Sequence, residues 1–139
     1  MGVFTWRKRV KSRGDAEVQD LTPDAAEALK RSEFQNGILN AFVPGSTAAI
    51  TTIEFESGAV QDLRSALERL VPKDGHYEHN QRWGNGNGFS HVRAALVKPG
   101  LAIPFQNGSL LLGAWQQLVL IDFDSRPRER EVIFQVIGE

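Results

Sequence analysis

The chain contains no cysteine, one methionine, one tyrosine and three histidines among its 139 residues. Without cysteine there is no disulfide and no thiolate, so cysteine nucleophiles and cysteine-ligated metals are excluded, and a reducing compartment is the consistent setting. Long apolar runs are missing as well: none approaches the ~18 residues that a membrane-spanning helix needs. From Met1 to Arg9 the charges follow the apolar residues, the reverse of a secretory signal. A strong charge of one sign is also lacking, and the net charge of −1 argues against a general nucleic-acid binder. These exclusions leave a soluble cytoplasmic protein as the expectation. What is present is ordinary globular composition, 41% apolar and 24% charged. A chain of this length buries about two thirds of its unfolded surface without staples and fits one domain over 1–139.

The positive charge is unevenly spread. Arg7, Lys8, Arg9, Lys11 and Arg13 lie near one end, and Arg126, Arg128 and Arg130 near the other. They read either as two solvated strands with alternating charges or as segments that meet in a patch for a phosphorylated ligand or acidic partner.

Residues 3–12 and 16–20 read as strands around a Gly14-Asp15 turn. Thr22-Pro23 opens a helix over 22–35, with Thr22 as its cap, and Asn36-Gly37 stops it. Strands are expected at 38–43 and from Ala48 to Phe55. Val60, Leu63, Leu67, Leu70 and Val71 recur at helical spacing up to Pro72. Residues 72–88 carry glycines, asparagines and two histidines without apolar periodicity, the pattern of a functional or flexible loop. A short helix from Ser90 to Val97 follows, with Ser90 as its cap. Further strands are expected at 101–105, 109–112, 115–123 and 131–137, with an Asn107-Gly108 hairpin turn. About three helices and eight strands give an α+β domain with a mainly antiparallel sheet or sandwich.

Several groups could carry chemistry. Gly84-Asn85-Gly86-Asn87-Gly88 leaves backbone amides free to approach an anion, and a helix starting beyond it would add its N-terminal amides. It lacks the spacing of a dinucleotide fingerprint. His76 and His79 have a spacing seen in metal sites but no assured helix beneath them. His91 adjoins the glycine run and suits acid–base work near neutral pH. Arg93, two residues on, could hold phosphate oxygens in bidentate fashion. Glu54 and Glu56 alternate along an expected strand, and Asp122 and Asp124 do the same; each pair is either a wet strand face or a source of a general base. Trp115 beside Gly113 and Gln116 suits stacking on a flat ligand, though such a tryptophan also serves a core or interface.

The blocks Gln35-Asn36-Gly37-Ile38-Leu39, Phe42-Val43-Pro44, Ser46-Thr47-Ala48-Ala49-Ile50, Leu67-Glu68-Arg69-Leu70-Val71-Pro72 and His79-Asn80 stand in a familiar order. So do Ser90-His91-x-Arg93-Ala94, Leu112-Gly113-x-Trp115-Gln116, Asp122-Phe123-Asp124 and Val136-Ile137-Gly138-Glu139. In this order and spacing the chain resembles the YjbQ family, the secondary thiamine-phosphate synthase group, over nearly its whole length. The resemblance implies a compact α+β fold, a homotrimer and a pocket near the subunit boundary. It further implies a reaction that joins a pyrimidine methyl diphosphate to a thiazole phosphate and expels pyrophosphate. Magnesium ordinarily assists such a departure.

Family members usually carry histidine where this chain has Gly45 and Phe89, and aspartate where it has Asn85. His91 then remains as the surviving metal candidate, which argues against a closed zinc site. On this reading His91 and Glu54 are the catalytic candidates. Ser46, Thr47, Asn80, Asn85, Asn87, Arg93, Trp115 and Gln116 are the candidates for binding a small phosphorylated ligand. The alternative is a trimeric binding module that has lost the chemistry.

Overall fold

The computed structural model describes all residues, Met1–Glu139. Two antiparallel sheets and four helices form it. Strands β1 (Gly2–Ser12), β2 (Glu17–Asp20), β3 (Gly37–Phe42), β4 (Ala48–Ile53), β5 (Gly100–Gln106), β6 (Ser109–Leu110), β7 (Gln117–Asp122) and β8 (Arg128–Gly138) alternate with helices α1 (Thr22–Ser32), α2 (Ser57–Leu70), α3 (Glu78–Trp83) and α4 (Gly88–Val97). The larger sheet runs β1-β8-β3-β5-β6 and the smaller β2-β7-β4.

The hydrophobic pattern explains the layering. In β1 and β8 more and less buried residues alternate, because only one face of the larger sheet is covered. Strand β7 is instead an unbroken apolar run, and both of its faces are buried. Leu118 and Leu120 join Leu39, Val132, Phe134, Val136 and α1 in one core. Val119 and Ile121 join Ala49, Phe123, Leu67 of α2 and Ala94 of α4 in a second. The layers are therefore large sheet, small sheet, then helices, with α1 closing one end of the sandwich.

The outer face of the large sheet carries no layer. The register aligns Val3, Ile137, Ile38 and Pro104 in one row and Arg7, Ile133, Phe42 and Gly100 in another. Val3, Ile38, Phe42 and Ile137 are exposed there, Val3 to 65%.

Four helices stand where three are expected. The additional one, α3, lies within the polar stretch read as a loop, and it buries none of its residues. Its six residues have too little apolar content for periodicity to reveal. Helix α1 ends at Ser32 rather than 35, because Glu33 adopts the left-handed conformation and its amide closes on Lys30. Thr22 lies inside that helix, and its amide is held by the Asp20 carboxylate at 2.9 Å. Ser90 does not cap α4, which begins at Gly88; its hydroxyl donates to the Phe123 carbonyl at 2.5 Å instead. Strand β4 stops at Ile53, so Glu54 and Glu56 do not share a strand face. Glu56 caps α2, accepting the amides of Gly58 and Ala59 at 2.8 Å each. Trp115 precedes β7 in a turn and is 76% exposed.

Candidate functional site

Helix α4 carries two of the candidate residues, His91 and Arg93. It packs on β4, and residues on opposite sides of it have separate surroundings. Phe89 and Arg93 turn inward: Phe89 is 2% exposed, with the Arg93 guanidinium 5.0 Å from its ring centre. Arg93 Nε donates to the Val71 carbonyl at 2.9 Å and Nη2 to Glu68 at 2.6 Å. Its charge is thus spent in tying α4 to the end of α2. His91, Ala94 and Ala95 turn the other way and form one wall of a cleft of about 250 Å3. Gly45, Ser46 and Ala48 form the other wall. Apart from His91 and Ser46, the lining offers small apolar surfaces suited to a flat ring.

The second histidine arrives from α3. The His79 and His91 rings are 4.5 Å apart between centres and tilted by 41°. Asn80 makes this possible, since its Oδ1 accepts the Gly88 amide at 2.9 Å and clamps α3 against the start of α4. Gly88 allows the approach: a Cβ there would lie 2.6 Å from the Tyr77 Cβ. His79 Nδ1 is buried without a hydrogen-bond partner, a site that calls for a donor or acceptor from a ligand or water. Burial holds His91 below the ordinary imidazole range, and the neighbouring His79 lowers it further, with Asp124 partly offsetting both. Burial and the neighbouring His79 thus favour the neutral imidazole over the charged one.

His79 is the site residue that sequence reasoning missed. Its pairing with His76 in an apparent metal spacing pointed the wrong way. His76 contacts exposed Glu78 at 3.2 Å, whereas His79 meets His91. No group of three or more histidine, cysteine, aspartate and glutamate side chains is gathered in a way that could hold a metal. Two imidazoles fall one short of the three protein ligands of a catalytic zinc. The donor set does not fit that metal.

Behind the cleft lies a buried charge network. Arg130 grips Asp122 through Nε (2.8 Å) and Nη2 (2.9 Å), and Nη2 also donates to Thr47 Oγ1 at 2.7 Å. Thr47 Oγ1 in turn donates a hydrogen bond to Asp124 at 3.1 Å, and Arg128 Nε donates to the same carboxylate at 2.9 Å. Burial acts to raise the Asp124 pKa, but the Ser125 amide, Arg128 and Thr47 outweigh it and hold the carboxyl below its usual range. Asp122 and Asp124 are thus structural partners of arginines, and Thr47 is 5% exposed within that network.

The remaining candidates lie elsewhere on the subunit. Asn85 and Asn87 face Asp124, Arg126 and Arg128 across a separate hollow of about 180 Å3. Asn87 is buried and its Oδ1 has no partner. Glu54, Trp115 and Gln116 sit beyond the far end of β4, where Gln116 Nε2 donates to Thr52 at 3.2 Å. Gln116 and Thr52 line a hollow of about 140 Å3 with Leu101 and Leu112, apart from the cleft that His91 lines. The two basic segments do adjoin, Ser12 pairing with Arg128 across β1 and β8. Their charges are largely answered: Arg7 meets Glu131 at 3.1 Å and Arg9 meets Glu129 at 3.3 Å.

Comparison with known proteins agrees with this architecture. The family model described as "UPF0047 protein YjbQ-like" matches residues 7–139. A UPF0047 protein of Methanothermobacter thermautotrophicus is 37% identical over 139 residues, covering 100% of this chain and 95% of the relative. One from Mycobacterium tuberculosis is 37% identical over 115 residues, covering 83% of this chain and 84% of its own. A hypothetical protein of Aeropyrum pernix superposes with a TM-score of 0.90 at 29% identity, over 98% of this chain and 99% of its own. A YbjQ-like protein of unknown function from Sulfolobus solfataricus gives 0.89 at 25% identity, over 99% and 100%. No helix of the chain is long and apolar enough to cross a membrane. The chain belongs to the YjbQ/UPF0047 family.

Proposed function

We propose that this protein binds a phosphorylated heterocycle in the cleft beside His91 and supports thiamine-phosphate synthase-type transfer there. In that reaction a thiazole nitrogen attacks the methylene of a pyrimidine methyl diphosphate. The new C–N bond replaces the C–O bond, and pyrophosphate leaves. The contact of His79 with His91 at the mouth of a small-residue cleft carries this reading. A neutral imidazole there can accept a hydrogen bond from the amino group of the pyrimidine, while Ala48, Ala94 and Ala95 leave room for a ring. The test is pyrophosphate release by the purified protein from the two substrates, with His91→Ala alongside. Loss of release in the variant is expected. Undiminished release would remove His91 from the chemistry.

A second reading, a binding module without turnover, draws on Gly45. Its φ of +141° disfavours any side chain, so a histidine could not stand there without a rearranged loop. Ligand binding with no pyrophosphate released would favour this reading.

The same proposal includes a cytoplasmic homotrimer. The exposed apolar rows on the large sheet are the kind of surface that monomers rarely leave open. A second copy of the chain is the occupant we assign to it. In such an assembly Glu54 and the exposed Trp115 of one copy can complete the His91 cleft of the next, bridging a distance that one subunit leaves open.

A further inference from the structure

The phosphate seat of the cleft can be located, given the reading that the His91 cleft is the ligand site. Arg93 and the glycine run are the sequence-level candidates, yet Arg93 is bound to Val71, Glu68 and Phe89 on the other side of α4. The loop between β3 and β4 presents better donors.

Arg130 is only 9% exposed, and two of its three guanidinium nitrogens are committed, Nε to Asp122 and Nη2 to Asp122 and Thr47. Nη1 donates to nothing. It lies 3.1 Å from the position that a Cβ on Gly45 would take, at the rim of the cleft. The backbone amides of Gly45, Ser46 and Thr47 also donate to no group in the chain: the one backbone bond in this loop runs from the Phe123 amide to the Thr47 carbonyl, at 2.9 Å. The Ser46 hydroxyl has no partner either, and Gly45 and Ser46 are exposed.

We infer that residues 45–47 and Arg130 Nη1 form the seat for an oxyanion, a phosphoryl group of the ligand, beside His91. A fixed guanidinium with successive free amides is an arrangement that recognises tetrahedral phosphate oxygens. Asp122 and Thr47 hold the arginine in place, so no side-chain ordering accompanies binding. Arg128 and Arg130 together balance Asp122 and Asp124, so the anion meets a neutral cluster rather than a repelling one. Glycine at 45 keeps the approach to Nη1 open, because a side chain there would begin against that nitrogen.

The test is a titration of the isotope-labelled wild-type protein with inorganic phosphate, and separately with pyrophosphate, followed by NMR. The largest shifts are expected at the Gly45, Ser46 and Thr47 amides and at the Arg130 guanidinium, with Gly84, Gly86 and Arg93 unmoved. Acetate at equal concentration should move them far less; an equal response would redefine the seat as a carboxylate site. Arg130→Lys keeps the charge but removes the fork, and phosphate affinity should fall about tenfold. Should that variant not fold, the wild-type shifts alone decide. Shifts confined to residues 84–88 and Arg126, or none at all, would overturn the seat. If phosphate binds here while no phosphorylated heterocycle does, the heterocycle reading fails and the seat stands. If a heterocycle binds without moving Arg130, the seat fails and that reading stands.

Discussion

Asn80 holds Gly88 by a single hydrogen bond of 2.9 Å, and that bond sets His79 against His91. Helix α3 buries no residue of its own, so it depends on such ties. Asn80→Ala should lower stability by about 1 kcal/mol. It should also separate the two rings, visible as converging histidine ring resonances. Gly88→Ala is expected to cost more, about 1–3 kcal/mol, because the new methyl meets Tyr77. Chemical denaturation of both variants checks this, and a wild-type midpoint for Asn80→Ala would show that α3 is held by other means.

The Arg130–Asp122 pair is buried on both sides, at 9% and 1% exposure. Removing one partner strands the other charge. Arg130→Met should therefore cost about 3 kcal/mol or more, and a double replacement by apolar residues less than the sum of the singles. A double-mutant cycle in urea measures this. Additive losses would mean that the two side chains are not coupled.

His91 should make stability depend on pH. Its folded pKa is lowered, first by burial and then by His79, so the unfolded chain takes up the proton first as pH falls. The stability this group contributes is whole well above the unfolded imidazole value of about 6.5 and is lost as pH falls from there through the lower folded value. Asp124, whose folded pKa is lowered as well, loses its contribution only in the acid carboxylate range. Urea midpoints between about pH 7.5 and 5 should thus decline for the wild type and flatten for His91→Gln. Parallel curves would assign the decline to another group.

The uncovered face of the large sheet should hold the assembly together. A carboxylate placed in its apolar row by Ile38→Glu, where Ile38 stands between Ile137 and Pro104, is expected to yield monomers by light scattering with unchanged secondary structure. A wild-type protein that is monomeric at the outset would refute the assignment.

If the cleft is shared between copies, His91→Ala and Trp115→Ala should each be inactive alone. Mixed after unfolding and refolding together, they should regain part of the activity, because some clefts then receive an intact residue from each copy. No recovery in mixed trimers would confine the site to one subunit.

Much of this architecture is legible in the order of residues. The strands expected at 3–12, 115–123 and 131–137 stand close to β1, β7 and β8, and Asn107-Gly108 gives the hairpin, because each is a local consequence of backbone geometry. The family is legible too, since its motifs are contiguous. Site membership was decided only by the tertiary structure. His91 and Arg93 are two apart in sequence, yet a helix turns them to different sides, one to the cleft and one to the core. His79, hidden in a polar stretch without periodicity, reaches His91 only because Asn80 and Gly88 join two short helices. Arg130 sits in a strand whose charges read as solvated, and its inward turn beside Gly45 depends on Asp122 and Thr47 meeting it from other strands. Sequence fixes which groups a chain possesses and which faces they share locally; packing between distant elements determines which of them meet.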